Sequence, residues 1–536
     1  MTAGRLTRRS LLAAAGGAVA SAGLTRPARV LGALAGSAAP SLADRWLGTV
    51  VAGQRTIELA RNADLLGLEW QSPADARLHL RFQRYDGHWS DWVSAGASAH
   101  GPDRPPQRNA LLGEPVWTGG TRAVQLRASH ALRGVRMQLV DVSGGVGAHR
   151  AALAAQRSLI ARLASSASLP LAAPSLQAGP GQPPIVARSA WARGMAHPRV
   201  APEYGAVRLA FVHHTENPNG YLAGEVPAML RAIFAFHREV RGWNDIGYNF
   251  VIDAFGRIFE ARAGGIDEPV VGAHAGGYNL ASTGVAVLGS FSSSPISAAA
   301  KVALRRLLAW KLALHGVPAQ GRVTVRVNPA GAVYSRFPAN APVSLPRIAG
   351  HRDADTTDCP GNALYGELRS IRPSVQSLAP SPTLATLVLT RTSPTAATTP
   401  ASPAPASGTG AVSEGLAGTL AFLDGRPIAG ASIQIQARSV ARRGEVVVEQ
   451  TLAQVQSDAA GQWSLPASVV PAAGHASLRA LYSGAVAGTG GPQGAGAAVS
   501  DPLVLTASTL TPAAAPAPTP AAAPAPTPAA APAPAT

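Results

Sequence analysis

The chain has 536 residues, including 56 glycines, 45 prolines and one cysteine, and its formal net charge is +17. This length leaves room for two to four domains, and a single cysteine excludes an intrachain disulfide. The basic charge suits acidic partners. However, the sequence has no zinc-finger spacing, no aromatic ribonucleoprotein motif and no basic helix, so we expect no nucleic-acid binding.

The first residues have the three parts of an export signal: a charged start, an apolar run and small residues. The stretch RLTRRSLLAAAGGAVASAGL places Arg8 and Arg9 before an apolar run that begins at Leu11. This pattern predicts a signal peptide over residues 1–35, and the arginine pair favours the twin-arginine type. The run is too short to span a bilayer, so we expect an exported bacterial protein with no transmembrane span.

Residues 44–142 follow the pattern of β-strands. In RLHLRFQRYDGHWSDWV, apolar and polar residues alternate on both sides of a turn at Asp86 and Gly87. This predicts a β-rich N-terminal domain, which we interpret as a β-sandwich. Its tryptophans have two open interpretations, a sugar-stacking face or core packing. They are Trp70, Trp89, Trp92 and Trp117.

Residues 143–183 are rich in alanine, serine and proline, which predicts a linker with one helix over residues 150–165. Residues 184–376 then alternate apolar strands with amphipathic helices. This alternation predicts an α/β domain whose mixed central sheet is flanked by helices. Its clearest elements are a buried strand over 208–215, helices over Val226–Val240 and Ser297–His315, and a hairpin around Gly256.

The last third of the chain begins with a Pro/Thr/Ser-rich stretch over residues 377–412, predicted to be a disordered linker. Strand patterns return over residues 413–506 and predict an Ig-like β-sandwich. Residues 507–536 hold three copies of TPAAAPAP, a composition that favours an extended spacer and builds no core. We therefore expect a multidomain protein with the α/β domain between two β-sandwiches.

The cysteine lies in GHRDADTTDCPG, residues 350–361, among polar and turn-forming neighbours. A thiolate is a soft ligand suited to zinc, and metal coordination explains a loop cysteine that has no disulfide partner. His351 stands at a strand end and Cys359 in the following loop, so both side chains can reach one ion. A third ligand is available in FVHHT, where His213 and His214 point to opposite faces of a strand, so only one of them can face the ion.

Seven stretches of the α/β segment occur in the order of one known family: IVARSAW, FVHHT, GWNDIGYNFVID, GRIFEAR, VGAHAGGYN, STGVAVLGSF and GHRDADTTDCPG. Residues 184–376 therefore resemble the peptidoglycan recognition protein and type 2 N-acetylmuramoyl-L-alanine amidase family. Animal members have a disulfide in this domain, for which this chain has no partner cysteine. The stretch GRVTVRVNPAGAVYSRFPANAPVSL before His351 is longer than the family pattern leads us to expect.

The resemblance implies roles for individual residues. His213, His351 and Cys359 correspond to the ligands of a catalytic Zn²⁺, Tyr248 to the catalytic tyrosine, and Thr357 to a second catalytic position. Non-catalytic members lose the cysteine or the tyrosine, whereas this set is intact. A further set matches substrate contacts, although its first member also suits a core position: His237, His274, Tyr278 and Asn279.

The expected chemistry follows from this ligand set. Three protein ligands leave a fourth position open for water, as in catalytic zinc sites, and Tyr248 can donate a hydrogen bond to a developing oxyanion. Thr357 is a poor base at neutral pH, so the general base stays open between Tyr248, the activated water and a neighbouring carboxylate.

The resemblance implies an exported, cell-wall-associated zinc amidase whose partners are peptidoglycan and muropeptides, with further wall polymers contacted through the β-sandwich domains. One alternative is a recognition protein that binds muropeptides without hydrolysis. The other is a structural wall protein in which the sandwiches and the proline-rich tail have the main role.

Overall fold

The computed structural model describes the following residues: 39–72, 76–104, 110–142, 181–194, 196–392, 415–440, 446–466, 477–484 and 495–504. The predicted signal peptide, the helix predicted over residues 150–165 and the Pro/Ala tail lie outside the described residues. The described residues form an N-terminal domain, a middle domain and a C-terminal domain.

The N-terminal domain is a single seven-stranded sheet in which all pairings are antiparallel. One long strand (β2) pairs with β5, β6 and β7 and continues through a register shift between Glu58 and Ala63. The β-rich domain is therefore confirmed, and its packing as a β-sandwich stays a prediction. The strands are Ser41–Val50 (β1), Gly53–Trp70 (β2), Leu78–Phe82 (β3), Val93–Ser94 (β4), Leu111–Leu112 (β5), Val116–Ala128 (β6) and Leu132–Asp141 (β7).

The four tryptophans of this domain divide between the two interpretations. Trp70 lies in the core of the N-terminal domain, and Trp117 packs into a core shared with the middle domain. Trp89 and Trp92 are half-buried, and the Arg81 guanidinium lies over both rings at 5.4 and 4.7 Å. Core packing is therefore confirmed for the first pair, while sugar stacking stays a prediction for the second.

The middle domain has the predicted mixed sheet, in the order β15-β9-β12-β10-β11-β8. β10 and β11 form the predicted antiparallel hairpin, and the other neighbours are parallel. A separate hairpin, β13–β14, forms within the long stretch before His351. The strands are Ile185–Val186 (β8), Leu209–His214 (β9), Phe250–Ile252 (β10), Ile258–Glu260 (β11), Ser282–Val287 (β12), Arg322–Arg326 (β13), Pro342–Pro346 (β14) and Ile348–Gly350 (β15).

Helices cover both faces of this sheet. They are Arg188–Ala192 (α1), Val226–Ala235 (α2), Ala298–Leu314 (α3) and Asn362–Leu378 (α4). Residues of α3 and α4 pack around Ile252, whereas α1 and α2 pack around Val251, because successive strand residues face opposite sides. The Ser297 hydroxyl caps α3 by accepting a hydrogen bond from the Ala300 N–H, and Gly316 follows its end with a φ of +65°. The helix predicted over Val226–Val240 ends in a π-helical turn after Ala235.

The C-terminal domain has two sheets that share one apolar core, with orders β16-β17-β20 and β19-β18-β21-β22, and β23 also pairs with β21. The linker predicted over residues 377–412 needs correction, because β16 lies inside it and pairs with β17 along eight residue pairs. The alternating stretch ATLVLTRT forms this strand, and its threonines and valine are β-branched residues that favour strands. The strands are Ala385–Thr392 (β16), Gly415–Phe422 (β17), Ser432–Val440 (β18), Val446–Gln456 (β19), Gln462–Leu465 (β20), Ser477–Tyr482 (β21), Ala498–Val499 (β22) and Leu503–Val504 (β23). An Ig-like topology stays a prediction.

Buried charges join the C-terminal and middle domains. The Arg479 Nη1 atom lies 2.6 Å from Asp267 Oδ2, and Arg438 Nη1 lies 3.0 Å from Glu268 Oε1. The buried Lys311 on α3 donates hydrogen bonds to the carbonyl oxygens of Ile266 and Glu268.

A membrane-spanning helix needs a long apolar stretch, and no helix among the described residues has one.

Candidate metal centre

The ends of two neighbouring parallel strands bring two histidines together. β9 pairs with β15, and Val212 lies opposite Gly350, so His213 and His351 follow at the same edge of the sheet. The His213 side chain faces this edge, whereas the His214 side chain binds the Glu216 carboxylate at 2.8 Å. The alternation expected for the FVHHT strand therefore selects His213.

Four donor atoms converge at this edge, all within 4.8 Å of one another. They belong to His100, His213, His351 and Cys359, and all four side chains are buried. His213 Nδ1 lies 3.1 Å from His100 Nε2 and 3.7 Å from Cys359 Sγ. Ligands of a tetrahedral zinc ion are separated by about 3.4 Å for two nitrogens and about 3.5 Å for nitrogen and sulfur. The two distances from His213 are close to these values, so the cluster could hold a metal ion.

The loop that carries Cys359 is held by local hydrogen bonds. The Thr357 hydroxyl accepts a bond from the Cys359 N–H at 3.2 Å, and the Arg352 N–H donates to the Cys359 carbonyl at 2.9 Å. The thiol itself accepts a bond from the His214 N–H at 3.4 Å. Thr357 thus positions the cysteine through the backbone, and its side chain is half-buried at the edge of the centre.

Each histidine of the cluster uses its other ring nitrogen for a second partner. His351 Nε2 lies 2.8 Å from the Asp355 carboxylate, and His213 Nε2 lies 3.2 Å from His274 Nδ1. His100 Nδ1 lies 2.7 Å from the Glu114 carboxylate. Metal-bound histidines typically have such partners, which set the tautomer and the ring orientation. The buried Nδ1 of His351 has no hydrogen-bond partner among the described residues, as expected of an atom that binds a metal.

Burial controls the protonation of the cluster. It lowers the pKa values of His213 and His351 well below the ordinary range and raises the pKa of the Cys359 thiol. The imidazoles are therefore neutral and able to bind a metal. A cation in the centre would offset the cost of forming a buried thiolate. Three imidazoles and one thiol are a donor set that suits zinc.

Tyr248 lies beside the cluster and is buried. Its ring packs edge-on against His100 at 5.4 Å and lies 5.5 Å from the His213 ring. Burial, reinforced by the negative charge of Glu114, raises the pKa of Tyr248 well above its ordinary value. The phenol therefore keeps its proton at neutral pH, which suits a hydrogen-bond donor.

The four predicted substrate contacts have different surroundings. His274 is buried against His213, and the Asn279 side chain accepts hydrogen bonds from the His274 and Ala275 N–H groups. The Tyr278 hydroxyl bonds to the Ser335 hydroxyl at 2.8 Å. His237 packs against the Trp243 ring and accepts a bond from the Gly247 N–H. Substrate contact stays a prediction for all four.

Two residues of the site come from the N-terminal domain and were not predicted. His100 and its partner Glu114 lie 113 and 99 positions before His213, in a loop segment without a metal-binding motif. The sequence predicted three protein donors and an open fourth position, whereas the structure brings a further donor, the His100 imidazole, into the cluster. The contact depends on domain packing, so no local signal reveals it.

A cleft of about 670 Å³ lies between the N-terminal and middle domains and reaches the cluster at His100 and Cys359. Charged and polar side chains from both domains line it. They include Arg77, His79, Glu216, Arg336, Thr357 and Asp358. The cleft therefore connects the donor atoms to a polar space large enough for part of a peptide or sugar chain.

Comparison with known proteins gives matches for two parts of the chain. A family model described as N-acetylmuramoyl-L-alanine amidase matches residues 203–362, and one described as Rv3811 N-terminal galactose-binding domain-like matches residues 28–157. A peptidoglycan-recognition protein from Drosophila simulans is 31% identical over 185 residues, which are 34% of this chain and 85% of that protein. Human N-acetylmuramoyl-L-alanine amidase is 29% identical over 225 residues, 41% of this chain and 34% of the human protein. The solved structure of wild-type Drosophila PGRP-LB is 28% identical, covers 34% of this chain and 91% of its own, and has a TM-score of 0.27.

The fold and the site define an α/β domain in which two histidines at the ends of parallel strands join a loop cysteine in a cluster that could hold a metal ion. The chain belongs to the family of peptidoglycan-recognition proteins and N-acetylmuramoyl-L-alanine amidases. Ahead of that domain it has a galactose-binding-domain-like β domain.

Proposed function

We propose that this chain is a zinc-dependent N-acetylmuramoyl-L-alanine amidase that acts on peptidoglycan outside the cytoplasm. The observation that carries the proposal is the convergence of His213, His351 and Cys359 beside Tyr248. The family match and the amidase relatives support the reaction class. Hydrolysis breaks the amide between the lactyl group of N-acetylmuramic acid and the first L-alanine of the stem peptide. It leaves a lactyl carboxylate and a free α-amino group.

When bound, zinc supplies a Lewis acid that polarises a carbonyl oxygen and makes water a stronger nucleophile. His213, His351 and Cys359 would hold it, because their donor atoms face one another in a buried space. Asp355 and His274 orient two of the imidazoles through their other nitrogens.

Tyr248 has a distinct part in the proposed reaction. Its phenol keeps its proton and lies beside the donor cluster, so it is placed to donate a hydrogen bond to the oxyanion that forms from the scissile carbonyl. The general base stays open between Tyr248, the activated water and a neighbouring carboxylate. Glu114 and Glu216 are carboxylates that line the cleft next to the cluster.

The test combines metal content with product analysis on the purified full-length chain. We expect about one zinc per chain, and release from purified peptidoglycan of stem peptides with a free N-terminal L-alanine. Because His100 lies at the cluster, the wild type and His100→Ala are assayed side by side, each with a Cys359→Ser counterpart. The proposal is supported if the wild type or His100→Ala cleaves peptidoglycan and the same protein with Cys359→Ser added does not.

Two other outcomes identify the alternatives. Zinc-loaded protein that binds muropeptides and cleaves none of them, with or without His100, is a recognition protein. The other outcome is a protein that holds no zinc, hydrolyses nothing and still binds cell walls after Cys359→Ser. It indicates a structural wall protein. Contact of wall polymers with the two β domains stays a prediction.

A further inference from the structure

We infer that His100 is a fourth protein ligand of the metal and that its loop holds the site in a latent, closed form. This inference rests on the proposed function. The segment involved is named the plug loop here and spans residues 97–104 of the N-terminal domain. It reaches the donor cluster of the middle domain from the opposite wall of the cleft.

The geometry of His100 is that of a ligand. Its Nε2 atom lies 3.1 Å from His213 Nδ1, and its ring stacks on the His351 ring at 4.5 Å with an angle of 20° between the planes. Its Nδ1 is 2.7 Å from Glu114, the carboxylate–histidine pairing that fixes a metal-binding tautomer. His100 is 3% exposed, so the imidazole is not a surface group that happens to lie nearby.

The plug loop is also bound to the middle domain beyond the histidine. The Asp103 carboxylate accepts hydrogen bonds from the Gly277 N–H at 2.6 Å and the Asn279 side chain at 3.0 Å. Asn279 also donates to the Gly101 carbonyl at 2.9 Å. Gly101 packs so closely on the Tyr334 ring that a Cβ would overlap it. The loop therefore covers Asn279, one of the residues predicted to contact substrate.

Four protein ligands close a zinc site, whereas catalytic sites keep one position for water or substrate. With His100 in the cluster, a scissile amide has no place next to the metal. Hydrolysis therefore needs the imidazole to withdraw. Withdrawal of the whole N-terminal domain would expose apolar surface to water, because Leu65, Trp117 and Val140 share an apolar core with α2. Movement of the plug loop alone opens the position.

The test compares three variants of the full-length chain with the wild type. His100→Ala removes the ligand, and Asp103→Ala weakens docking of the plug loop without removing any donor atom of the cluster. His88→Ala is the matched control, because it removes an exposed histidine from a turn of the same domain. Each protein is measured for zinc affinity by chelator competition, for the visible spectrum of its cobalt(II) form, and for release of stem peptides.

We expect His100→Ala to lower zinc affinity about 10- to 100-fold or more, the scale seen when the ligand environment is damaged. We also expect it to change the cobalt spectrum, because an imidazole is replaced by solvent, and to raise hydrolysis at saturating zinc at least several-fold. Asp103→Ala should raise hydrolysis and lower zinc affinity by less than His100→Ala does, because its loop still carries the ligand. His88→Ala should match the wild type in all three measurements.

Failures of the two proposals are distinguishable. Unchanged zinc affinity and cobalt spectrum in His100→Ala would overturn the ligand assignment while leaving a zinc amidase intact. A second outcome is a changed cobalt spectrum and lower hydrolysis in His100→Ala, with no rise in hydrolysis in Asp103→Ala. It would show that His100 is a ligand needed for activity and would overturn the latent, closed form. Absence of metal binding and of hydrolysis in every form would instead defeat the proposed function itself.

Discussion

His351 Nε2 lies 2.8 Å from Asp355 Oδ2, and both side chains are fully buried. Because Asp355 binds the Nε2 atom, the Nδ1 atom of His351 is left to face the donor cluster. The two residues are four positions apart in the chain. We predict that Asp355→Asn lowers zinc affinity about 10- to 100-fold, because the amide no longer sets the tautomer of His351. Chelator competition measures this, with the exposed Asp358→Asn in the same loop as control. Equal affinities for both variants would contradict the orienting role.

Cys359→Ser should remove both metal and hydrolysis. Serine replaces the single thiolate donor by a hydroxyl, which zinc binds poorly, and the remaining donors are imidazoles, which supply no negative charge. Elemental analysis of the purified variant and digestion of peptidoglycan are the measurements. Far-UV circular dichroism shows whether the fold persists. A metal-replete, active serine variant would rule out the assigned site.

Tyr248→Phe removes a hydroxyl and leaves all four donor side chains in place. In the His100→Ala background we predict the same zinc affinity as in the His100→Ala parent, and a further loss of hydrolysis on the order of 10²-fold or more, the scale of losing one oxyanion donor. The ratio of kcat values with and without the hydroxyl is the relevant quantity. Full activity in the phenylalanine variant would show that Tyr248 only packs in the core.

Because Lys311 is buried, we predict that the stability of the fold depends on pH. Burial lowers its pKa to about 7, against the opposing effect of Asp267 and Glu268. Between about pH 7 and pH 10 the unfolded chain therefore binds more protons than the folded one, so the free energy of unfolding rises with pH, by up to about 1.4 kcal/mol per pH unit. We expect Lys311→Met to lose this rise in urea unfolding monitored across that range.

The matched control for the lysine is Lys301→Met on the same helix, whose ammonium is about one-third exposed and pairs with Glu367. It should keep the wild-type pH dependence. If Lys311→Met keeps it too, the buried ammonium does not titrate in this range. Lower absolute stability of Lys311→Met is expected in any case, because two carbonyl groups lose their hydrogen-bond donor.

The export route is testable through the arginine pair. Changing Arg8→Lys and Arg9→Lys together keeps the charge, so general secretion should tolerate it, whereas a twin-arginine receptor should not. We predict that folded, zinc-loaded precursor stays inside the cell, since the site needs the fold before it can close. Zinc content and amidase activity in lysate and medium are compared between strains. Undiminished secretion of the double-lysine form would mean that unfolded export suffices.

The sequence by itself determined the middle domain and the three donor residues that this domain contributes to the cluster. Strand and helix patterns predicted the mixed sheet, and the alternation of β9 left one histidine of FVHHT for the centre. These features are local: each depends on the spacing of apolar side chains along one element, or on a short loop after one strand. The order of the motifs then identified the family, and with it His213, His351 and Cys359.

Only the tertiary structure decided whether the centre is open. His100 is 113 residues from His213 and reaches it through the packing of one domain on another. The strand at Ala385–Thr392 also depends on a distant segment, because it forms by pairing with β17. The Pro/Thr/Ser-rich composition around it predicted a linker instead. Contacts between distant segments depend on shape and burial across domains. No periodicity in the chain encodes those quantities.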